Sequence, residues 1–213
     1  MFECTTNDYA EIYAPWIARG VDLLDLSGWT PDNRLLDICG GTGVIAKEAI
    51  RRGATKPVHM LDLNPRCNVD GVVATKGDAN RVDEWLWRGL FDVVVCRQAM
   101  AYLDPDMFFR SVSQVMKPGG VLVFNIFCDP ETVGWKTTNF EGKVYREAHL
   151  AIFGQVVHVQ ALMGWPPKVD ISTFRNHDFA HLWSQMSHYF DATVEFKGHS
   201  AKIRAVKLDE YRA

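Results

Sequence analysis

The sequence has no long hydrophobic run and no basic cluster at its start. No uninterrupted apolar stretch approaches the ~20 residues that a bilayer-spanning helix needs. The opening residues, MFECTTNDYAEIYAPW, carry acidic side chains where a secretory signal carries basic ones. We therefore expect a cytoplasmic protein with no export signal, no membrane span and no membrane partner.

Positive charge is also scarce. The 26 aspartates and glutamates outnumber the 23 lysines and arginines, which gives a formal net charge of -3, and the longest basic run is Arg51-Arg52. Such a chain has no general attraction for polyanions. We expect no nucleic-acid partner.

The cysteines lack the spacing of a metal site or a redox pair. There are five of them, widely separated and without a C-x-x-C pair: Cys4, Cys39, Cys67, Cys96 and Cys128. This pattern is typical of a reduced protein without structural zinc. Clustered carboxylates that would hold a divalent cation cannot be assembled either. We predict no metal.

The chain has enough apolar material for a proper core. Its 213 residues are 47% hydrophobic and 23% charged, which is the composition of one globular domain. We expect a single domain over 1–213, with an N-terminal segment at 1–30 and an insertion at 128–176.

Short apolar runs alternate with helical patterns from Arg34 onward, which predicts an α/β fold with a mostly parallel sheet. The predicted strands are 34–38, 58–63, 71–78, 91–96 and 120–127, and the predicted helices lie within 43–53, 79–89 and 104–120. The segment Lys117-Pro118-Gly119-Gly120 should end the last helix and turn the chain into strand five.

The alternation stops near residue 128, where glycines and prolines break the chain into short pieces. Within this insertion, 143–153 and 155–162 have the alternating pattern of a β-hairpin. A helix is then predicted within 178–190, and strands at 192–198 and 201–208 form a C-terminal antiparallel hairpin.

The turn after the first strand has the composition of a ligand-binding loop. In LLDICGGTGVIAKEA, Gly41, Gly43 and Ala46 match G-x-G-x-x-A, and Asp62 ends the second strand about twenty residues later. The glycines let a ligand approach the backbone, and Asp62 can accept hydrogen bonds from a ribose diol. A dinucleotide site has the same arrangement, so the motif leaves both cofactors open.

Asp37 favours a cationic ligand over a dinucleotide. It leaves strand one close to where a pyrophosphate would rest on the helix N-terminus, and a carboxylate there repels phosphate. S-adenosylmethionine has an ammonium and a sulfonium, no phosphate, and a ribose and adenine to be held. The alternative is that Asp37 only caps the following helix.

These residues resemble the class I S-adenosylmethionine-dependent methyltransferases. The likeness covers about 30–127 through five motifs in the family's order: LLDICGGTG, LDLNP, KGDAN, FDVVVCRQAMAYL and VMKPGGVLVFNIF. It implies a Rossmann-like doubly wound sheet, S-adenosyl-L-methionine as cofactor, S-adenosyl-L-homocysteine as product, and a substrate cap inserted after strand five.

The resemblance assigns the residues around the methionine and the ribose. It implies that Gly41 and Gly43 pass under the cofactor and that Asp37 points toward its methionine end. Asp62 would hold the ribose hydroxyls, and Arg97 would lie near the methionine portion through its backbone.

The adenine is assigned in the same way. Leu63 would pack on the ring, Asp78 would accept from the amino group, and the Ala79 amide would face a ring nitrogen. Cys39 is a departure, since the family usually has glycine there, with Gly40 following where many members have cysteine. We expect both residues to lie at the cofactor.

The N-terminal segment resembles the one that small-molecule members fold over the cofactor. Tyr9, Tyr13 and Trp16 are the candidates for this lid, with Tyr13 as a cofactor contact. The alternative is ordinary helix packing of an aromatic stripe on a core.

Catalysis by this family requires alignment of an in-line displacement, with a base only where the acceptor carries a proton. His158 is the first candidate, on a strand face that also carries Gln160, and His149 is the second, opposite it in the predicted hairpin. Each could instead be a solvated strand residue. His177 is assigned to the entry of the last helix.

The acceptor class follows from a missing motif and the cap. Strand four ends in CRQAMAYL, without the Asn/Asp-Pro-Pro-aromatic turn of members that methylate bases or glutamine amides. We therefore expect N- or O-methylation of a small molecule. The alternatives are a protein or RNA methyltransferase, a nicotinamide-dependent oxidoreductase, and an inactive cofactor-binding module. A homodimer is compatible with the sequence.

Overall fold

The computed structural model describes residues 9–15, 21–127, 133–152, 155–175, 179–197 and 200–209. The chain divides into two compact units. We call residues 20–126 with 177–213 the core unit, and residues 1–19 with 127–176 the cap unit.

The core unit contains a seven-stranded sheet. Its strands are β1 (Leu35–Ile38), β2 (Val58–Asp62), β3 (Val72–Lys76), β4 (Phe91–Cys96), β5 (Met116–Phe127), β10 (Phe190–Lys197) and β11 (Ser200–Lys207), with β6 to β9 in the cap unit. The order across the sheet is β10-β11-β5-β4-β1-β2-β3. The pairs among β1 to β5 are parallel and the β10–β11 pair is antiparallel. The predicted parallel sheet and C-terminal hairpin are confirmed.

Helices connect the strands of this sheet. They are α2 (Asp22–Ser27), α3 (Val44–Arg51), α4 (Val82–Trp85), α5 (Pro105–Val115) and α6 (Phe179–Ser187), with single 3-10 turns at Ala79–Arg81 and Met100–Tyr102. Asp104 caps α5 by accepting a hydrogen bond from the Met107 amide at 3.1 Å. Among the described residues, no helix is long and apolar enough to cross a membrane.

Helices pack on both faces of the sheet, which explains why the central strands are apolar at most positions on both faces. On one face, Leu24 of α2 and Ile45 of α3 join Val123 of β5 in a buried cluster. On the other face, the ring of Phe109 of α5 lies 5.7 Å from that of Phe124, the next residue along β5. Burying each such side chain stabilises the fold by about 2 kcal/mol.

The chain between α5 and the core of β5 differs from the prediction. Residues 117–120 were expected to form a turn, but they lie within β5 as an irregularity. Phe91 of β4 pairs with Met116, whereas Val93 already pairs with Val121. The Lys117 ammonium lies 2.5 Å from the Asp92 carboxylate, which ties this bulge to β4.

The cap unit contains a separate antiparallel sheet and a short helix. Its strands β6 (Val133–Phe140), β7 (Lys143–Ile152), β8 (Gln155–Leu162) and β9 (Lys168–Arg175) follow chain order in the sheet, and α1 (Tyr9–Ile12) packs on β8 and β9. The predicted β7–β8 hairpin is confirmed by its register, which runs from Tyr145 opposite Leu162 to Ile152 opposite Gln155. The sequence analysis did not predict β6 and β9.

Candidate cofactor site

The carboxyl ends of the parallel strands place the predicted residues along one edge of the core sheet. The turn after β1 is held by two backbone hydrogen bonds: Gly43 N–H donates to the Gly40 carbonyl at 2.7 Å, and Arg66 N–H donates to the Gly41 carbonyl at 2.9 Å. Gly41 (φ 53°) and Gly43 (φ 74°) take left-handed backbone conformations, which explains the choice of glycine at both.

The two glycines have different surroundings. A Cβ added at Gly43 would collide with the Cys67 sulfur, so that residue must stay bare for packing. A Cβ added at Gly41 would meet nothing within 4 Å. The open side of the turn is therefore at Gly41, where a ligand can lie against the backbone.

Cys39 adopts a conformation that normally belongs to glycine. Its φ is 55°, and left-handed non-glycine residues of this kind cost about 1–3 kcal/mol. Its amide donates to the Leu61 carbonyl at 2.7 Å. A hydrogen bond with the Cys96 thiol and burial raise the pKa of the Cys39 thiol well above its usual value. The thiol is therefore neutral. Because a cysteine stands where the resembled family usually has glycine, the backbone is strained at this position.

Asp37 is a buried carboxyl at the same turn. Its side chain is 1% exposed, and it accepts a hydrogen bond from the Ala46 amide in the first turn of α3 at 3.2 Å. Burial raises the pKa of Asp37 to about 7, against the lowering effects of the Ala46 amide and the Arg97 guanidinium, while Asp62 raises it further. The carboxyl is thus destabilised in its charged form, and within the described part of the chain no cation forms an ion pair with it.

Asp62 links the turns that follow β1 and β2. Its Oδ2 accepts from the Gly41 amide at 2.9 Å and its Oδ1 accepts from the Asn64 amide at 2.7 Å. Each carboxylate oxygen keeps a second lone pair for a ligand hydroxyl. Next to it, Leu63 is a large apolar side chain with 59% exposure, as expected for a residue that packs on a ring.

Asp78 and Ala79 follow β3, the neighbour of β2. Asp78 accepts from the Asn80 amide at 2.9 Å and begins the 3-10 turn. Ala79 is buried, with 3% exposure. Because β2 and β3 are adjacent and parallel, Leu63 and Asp78 lie at the same edge of the sheet.

The loop after β4 contains residues that the sequence analysis missed. Gln98 directly follows Arg97 and has a φ of 53°. Its amide donates to Asn125 Oδ1 of β5 at 2.8 Å. Asn125, a polar residue inside the apolar run GVLVFNIF, was the available signal. This bond holds the backbone at Arg97 and Gln98 in position at the edge of the sheet.

The other predicted residues lie in the cap unit. The Tyr13 hydroxyl donates to Asp170 Oδ2 at 2.6 Å, and its ring centroid lies 5.9 Å from that of His158. His158 Nε2 lies 3.8 Å from Glu147 Oε1. His149 is the register partner of His158, as predicted.

Part of the predicted set lies outside the residues whose side chains are described. The backbone of His149 is described but its side chain is not, and the same holds for Tyr9. Trp16 and His177 lie wholly outside the described residues. The lid and catalytic assignments therefore stay predictions.

The residues of the core unit fit S-adenosylmethionine. The open backbone at Gly41 leaves room for the chain of the cofactor. Asp37, a buried acid without an ion-pair partner in the described chain, suits its ammonium. Asp62 and the exposed apolar side chain next to it suit its nucleoside. Asp37, next to the open turn, would disfavour a pyrophosphate.

Comparison with known proteins agrees with this geometry. The family model described as a methyltransferase domain matches residues 11–186. An uncharacterized methyltransferase of Mycobacterium tuberculosis is 32% identical over 107 residues, which cover 48% of this chain and 43% of that protein. The chain therefore matches less than half the length of this curated relative.

Solved structures share the fold. An S-adenosylmethionine-dependent methyltransferase from Clostridium acetobutylicum aligns with a TM-score of 0.65 at 17% identity, covering 95% of this chain and 98% of that one. The glycopeptide N-methyltransferase MtfA, solved with S-adenosylhomocysteine, aligns with a TM-score of 0.58 at 16% identity, covering 88% and 87%. With the family model matching most of its length, the chain belongs to the class I S-adenosylmethionine-dependent methyltransferases, a family of enzymes with S-adenosylmethionine as cofactor.

Proposed function

We propose that this protein transfers the methyl group of S-adenosylmethionine to a nitrogen or oxygen atom of a small molecule. The observation that carries the proposal is Asp37. It is a fully buried carboxyl beside the open glycine turn, and burial raises its pKa to about 7. A ligand cation is the partner that offsets the cost of its charge.

The core unit would hold the cofactor. Asp37 binds the ammonium of its methionine part, Asp62 accepts the ribose hydroxyls, and Leu63 packs on the adenine. Asp78 and the Ala79 amide then read the polar edge of the ring. When bound, S-adenosylmethionine supplies a methyl group activated on a sulfonium.

The cap unit would supply the acceptor's environment. His158 takes the proton that a hydroxyl or ammonium acceptor must lose, and Glu147, 3.8 Å from its Nε2, orients the ring and stabilises its charged form. His149 is the alternative base, as the register partner of His158. Tyr13 contributes to the wall of this cluster through its bond to Asp170.

A small acceptor is supported by the charge of the chain. The net charge of -3 and the absence of a long basic run offer no docking surface for RNA. A protein acceptor remains the second candidate within the same family. A nicotinamide-dependent oxidoreductase is disfavoured by Asp37 and by the family match over residues 11–186.

The test is methyl transfer from S-adenosylmethionine that carries a deuterated methyl group. The purified protein is incubated with it and with pooled amines, alcohols, phenols and short peptides, and mass spectrometry follows labelled product and S-adenosylhomocysteine. We expect a labelled amine, alcohol or phenol. Cofactor binding without formation of S-adenosylhomocysteine with any pool indicates an inactive binding module, and a labelled peptide contradicts the small-molecule assignment.

A further inference from the structure

Gln160 of β8 is a fully buried polar side chain without a hydrogen-bond partner in the described part of the chain. Its exposed fraction is 0%. Neither its Oε1 nor its Nε2 has a partner among the residues that the structure describes. A buried amide whose donors and acceptor are unused is costly. It therefore requires a partner that the described residues do not provide.

The strand register places Gln160 in a row of charged residues on one face of the cap sheet. Glu147 of β7 lies opposite it on one side, and Asp170 of β9 lies opposite it on the other. Directly opposite residues in antiparallel strands share a face and lie close together. The row therefore has two carboxylates with the amide between them.

The same face has an apolar side. Tyr145 and Leu162 form the adjacent register pair, and both are buried, with 1% and 7% exposure. On the other side of the row, His158 keeps a side-chain exposure of 13%, and Glu147 within the row keeps 17%. The cluster thus changes from apolar to polar along the strands and reaches solvent at His158 and Glu147.

The nearby lysines do not reverse the charge of this row. Lys168 Nζ lies 2.7 Å from Glu11 Oε2, and Lys143 Nζ lies 3.2 Å from Glu11 Oε1. Lys136, opposite Glu147 on β6, has an exposed side chain. The register row therefore contains two carboxylates, Glu147 and Asp170, and one lysine, Lys136, and this excess of negative charge favours a cation over an anion.

We propose that Gln160 is the polar anchor of a subsite in the cap sheet for an amphipathic amine, with Glu147 and Asp170 drawing the ammonium and Tyr145 and Leu162 lining its apolar part. The Gln160 carbonyl accepts an N–H from the amine, and its amide donates to a ligand oxygen or a bound water. The inference deepens the proposed function, on which it rests, because it names a cationic amine as the methyl acceptor.

The experiment follows the Gln160 side-chain amide by NMR in full-length protein saturated with S-adenosylhomocysteine. Its resonances are assigned by their loss in Gln160→Leu. The probes are 2-phenylethylamine and ethanolamine, compared with neutral 2-phenylethanol and anionic 3-phenylpropanoate. We expect a saturable shift with at least one amine and none with the neutral or anionic probe.

Two variants separate a ligand role from a structural one. In Gln160→Leu, the affinity for the amine should fall about tenfold or more. The affinity for S-adenosylhomocysteine should be unchanged. The melting temperature should be unchanged or higher, because an unused buried amide is removed. Gln185→Leu in α6 is the matched control and should leave all three unchanged.

Each result separates the inference from the proposed function. Normal S-adenosylhomocysteine binding without an amine-specific shift, equal binding of the neutral probe, or full amine affinity in Gln160→Leu overturns the subsite and leaves the cofactor assignment intact. Failure to bind S-adenosylhomocysteine at all contradicts the proposed function itself.

Discussion

Affinity for S-adenosylhomocysteine should rise with pH through neutrality, because the ligand's ammonium binds the ionised form of Asp37. Burial raises the pKa of this carboxyl to about 7 in the free protein. Below that pH the carboxyl is protonated and must release a proton before it can pair with the ammonium. With a pKa of about 7, the ionised fraction of Asp37, and with it the affinity, is about eightfold higher at pH 7.5 than at pH 6.0.

Few other groups at the turn titrate in this range. Burial raises the pKa of the Cys67 thiol, and a hydrogen bond with Cys96 together with burial raises that of Cys39, so both thiols stay neutral. Asp62 also acts on Asp37 through its negative charge. The measured slope therefore reports mainly on Asp37.

The assay is calorimetric titration at pH 6.0, 6.5, 7.0 and 7.5 with two ligands. 5′-Methylthioadenosine lacks the ammonium and is the control, so its affinity should be constant over this range. Asp37→Asn keeps an acceptor for the Ala46 amide, and this variant should bind S-adenosylhomocysteine more weakly at pH 7.5 and with no slope. A flat wild-type curve, or an equal slope for both ligands, would refute the role assigned to Asp37.

Three further predictions concern the same turn. Asp62→Ala should weaken S-adenosylhomocysteine binding by about 1–3 kcal/mol in a calorimetric titration, because the ribose hydroxyls and the Gly41 amide lose a charged acceptor; an unchanged affinity contradicts the ribose assignment. The raised pKa of Asp37 makes its ionisation oppose folding, an effect absent below about pH 4 and complete above about pH 7. Asp37→Asn should therefore gain stability over wild type in urea unfolding of the free protein as pH rises through that window, by up to about 4 kcal/mol, and a pH-independent difference contradicts this. Cys39 has a left-handed backbone, so Cys39→Gly should keep the free energy of unfolding within about 1 kcal/mol of wild type. Cys39→Val should lose about 2–3 kcal/mol in the same assay, because a β-branched residue fits this backbone poorly. Equal losses in the two variants would contradict the backbone strain at Cys39.

The parallel sheet could be predicted because its strands are buried on both faces. Apart from Asp37 and Asp92, runs such as LLDI at β1 and FDVVVC at β4 are apolar at successive positions, as expected for strands with helices on both sides of the sheet. The C-terminal hairpin was predictable from the two strand-like runs at 192–198 and 201–208, which are separated by only two residues in the sequence. The irregularity at 117–120 was not, because a Pro-Gly-Gly segment is equally consistent with a turn and a bulge.

Within the site, the residue types and their order were predictable from the sequence, but the backbone strain and the burial of these residues were not. The motif predicts the positions of Gly41, Gly43 and Asp62 at the ends of the first two strands, because glycines in a turn and an acid at the end of a strand are recognisable from the local sequence. The left-handed conformation of Cys39 depends on the turn that surrounds it. The bond between Gln98 and Asn125 joins the loop after β4 to β5, over a separation of 27 residues that a local sequence pattern does not reveal.

The cap was harder to predict because its sheet alternates weakly. The strands β6 and β9, in VGWKTTNF and KVDISTFR, contain charged and polar residues on both faces, so neither has the clean alternation of β8. The polar residue Gln160 would normally indicate a solvated face. The burial of Gln160 depends on the residues that cover the sheet, so the sequence of β8 alone does not predict it.

The central claim is that the glycine turn binds S-adenosylmethionine and not a dinucleotide. Calorimetric titration of the wild-type protein at pH 7.5 with S-adenosylmethionine, S-adenosylhomocysteine and NAD, side by side, tests it directly. We expect binding of the first two with about micromolar dissociation constants, near −8 kcal/mol, and no detectable heat with NAD. Binding of NAD without binding of either adenosyl ligand would contradict it.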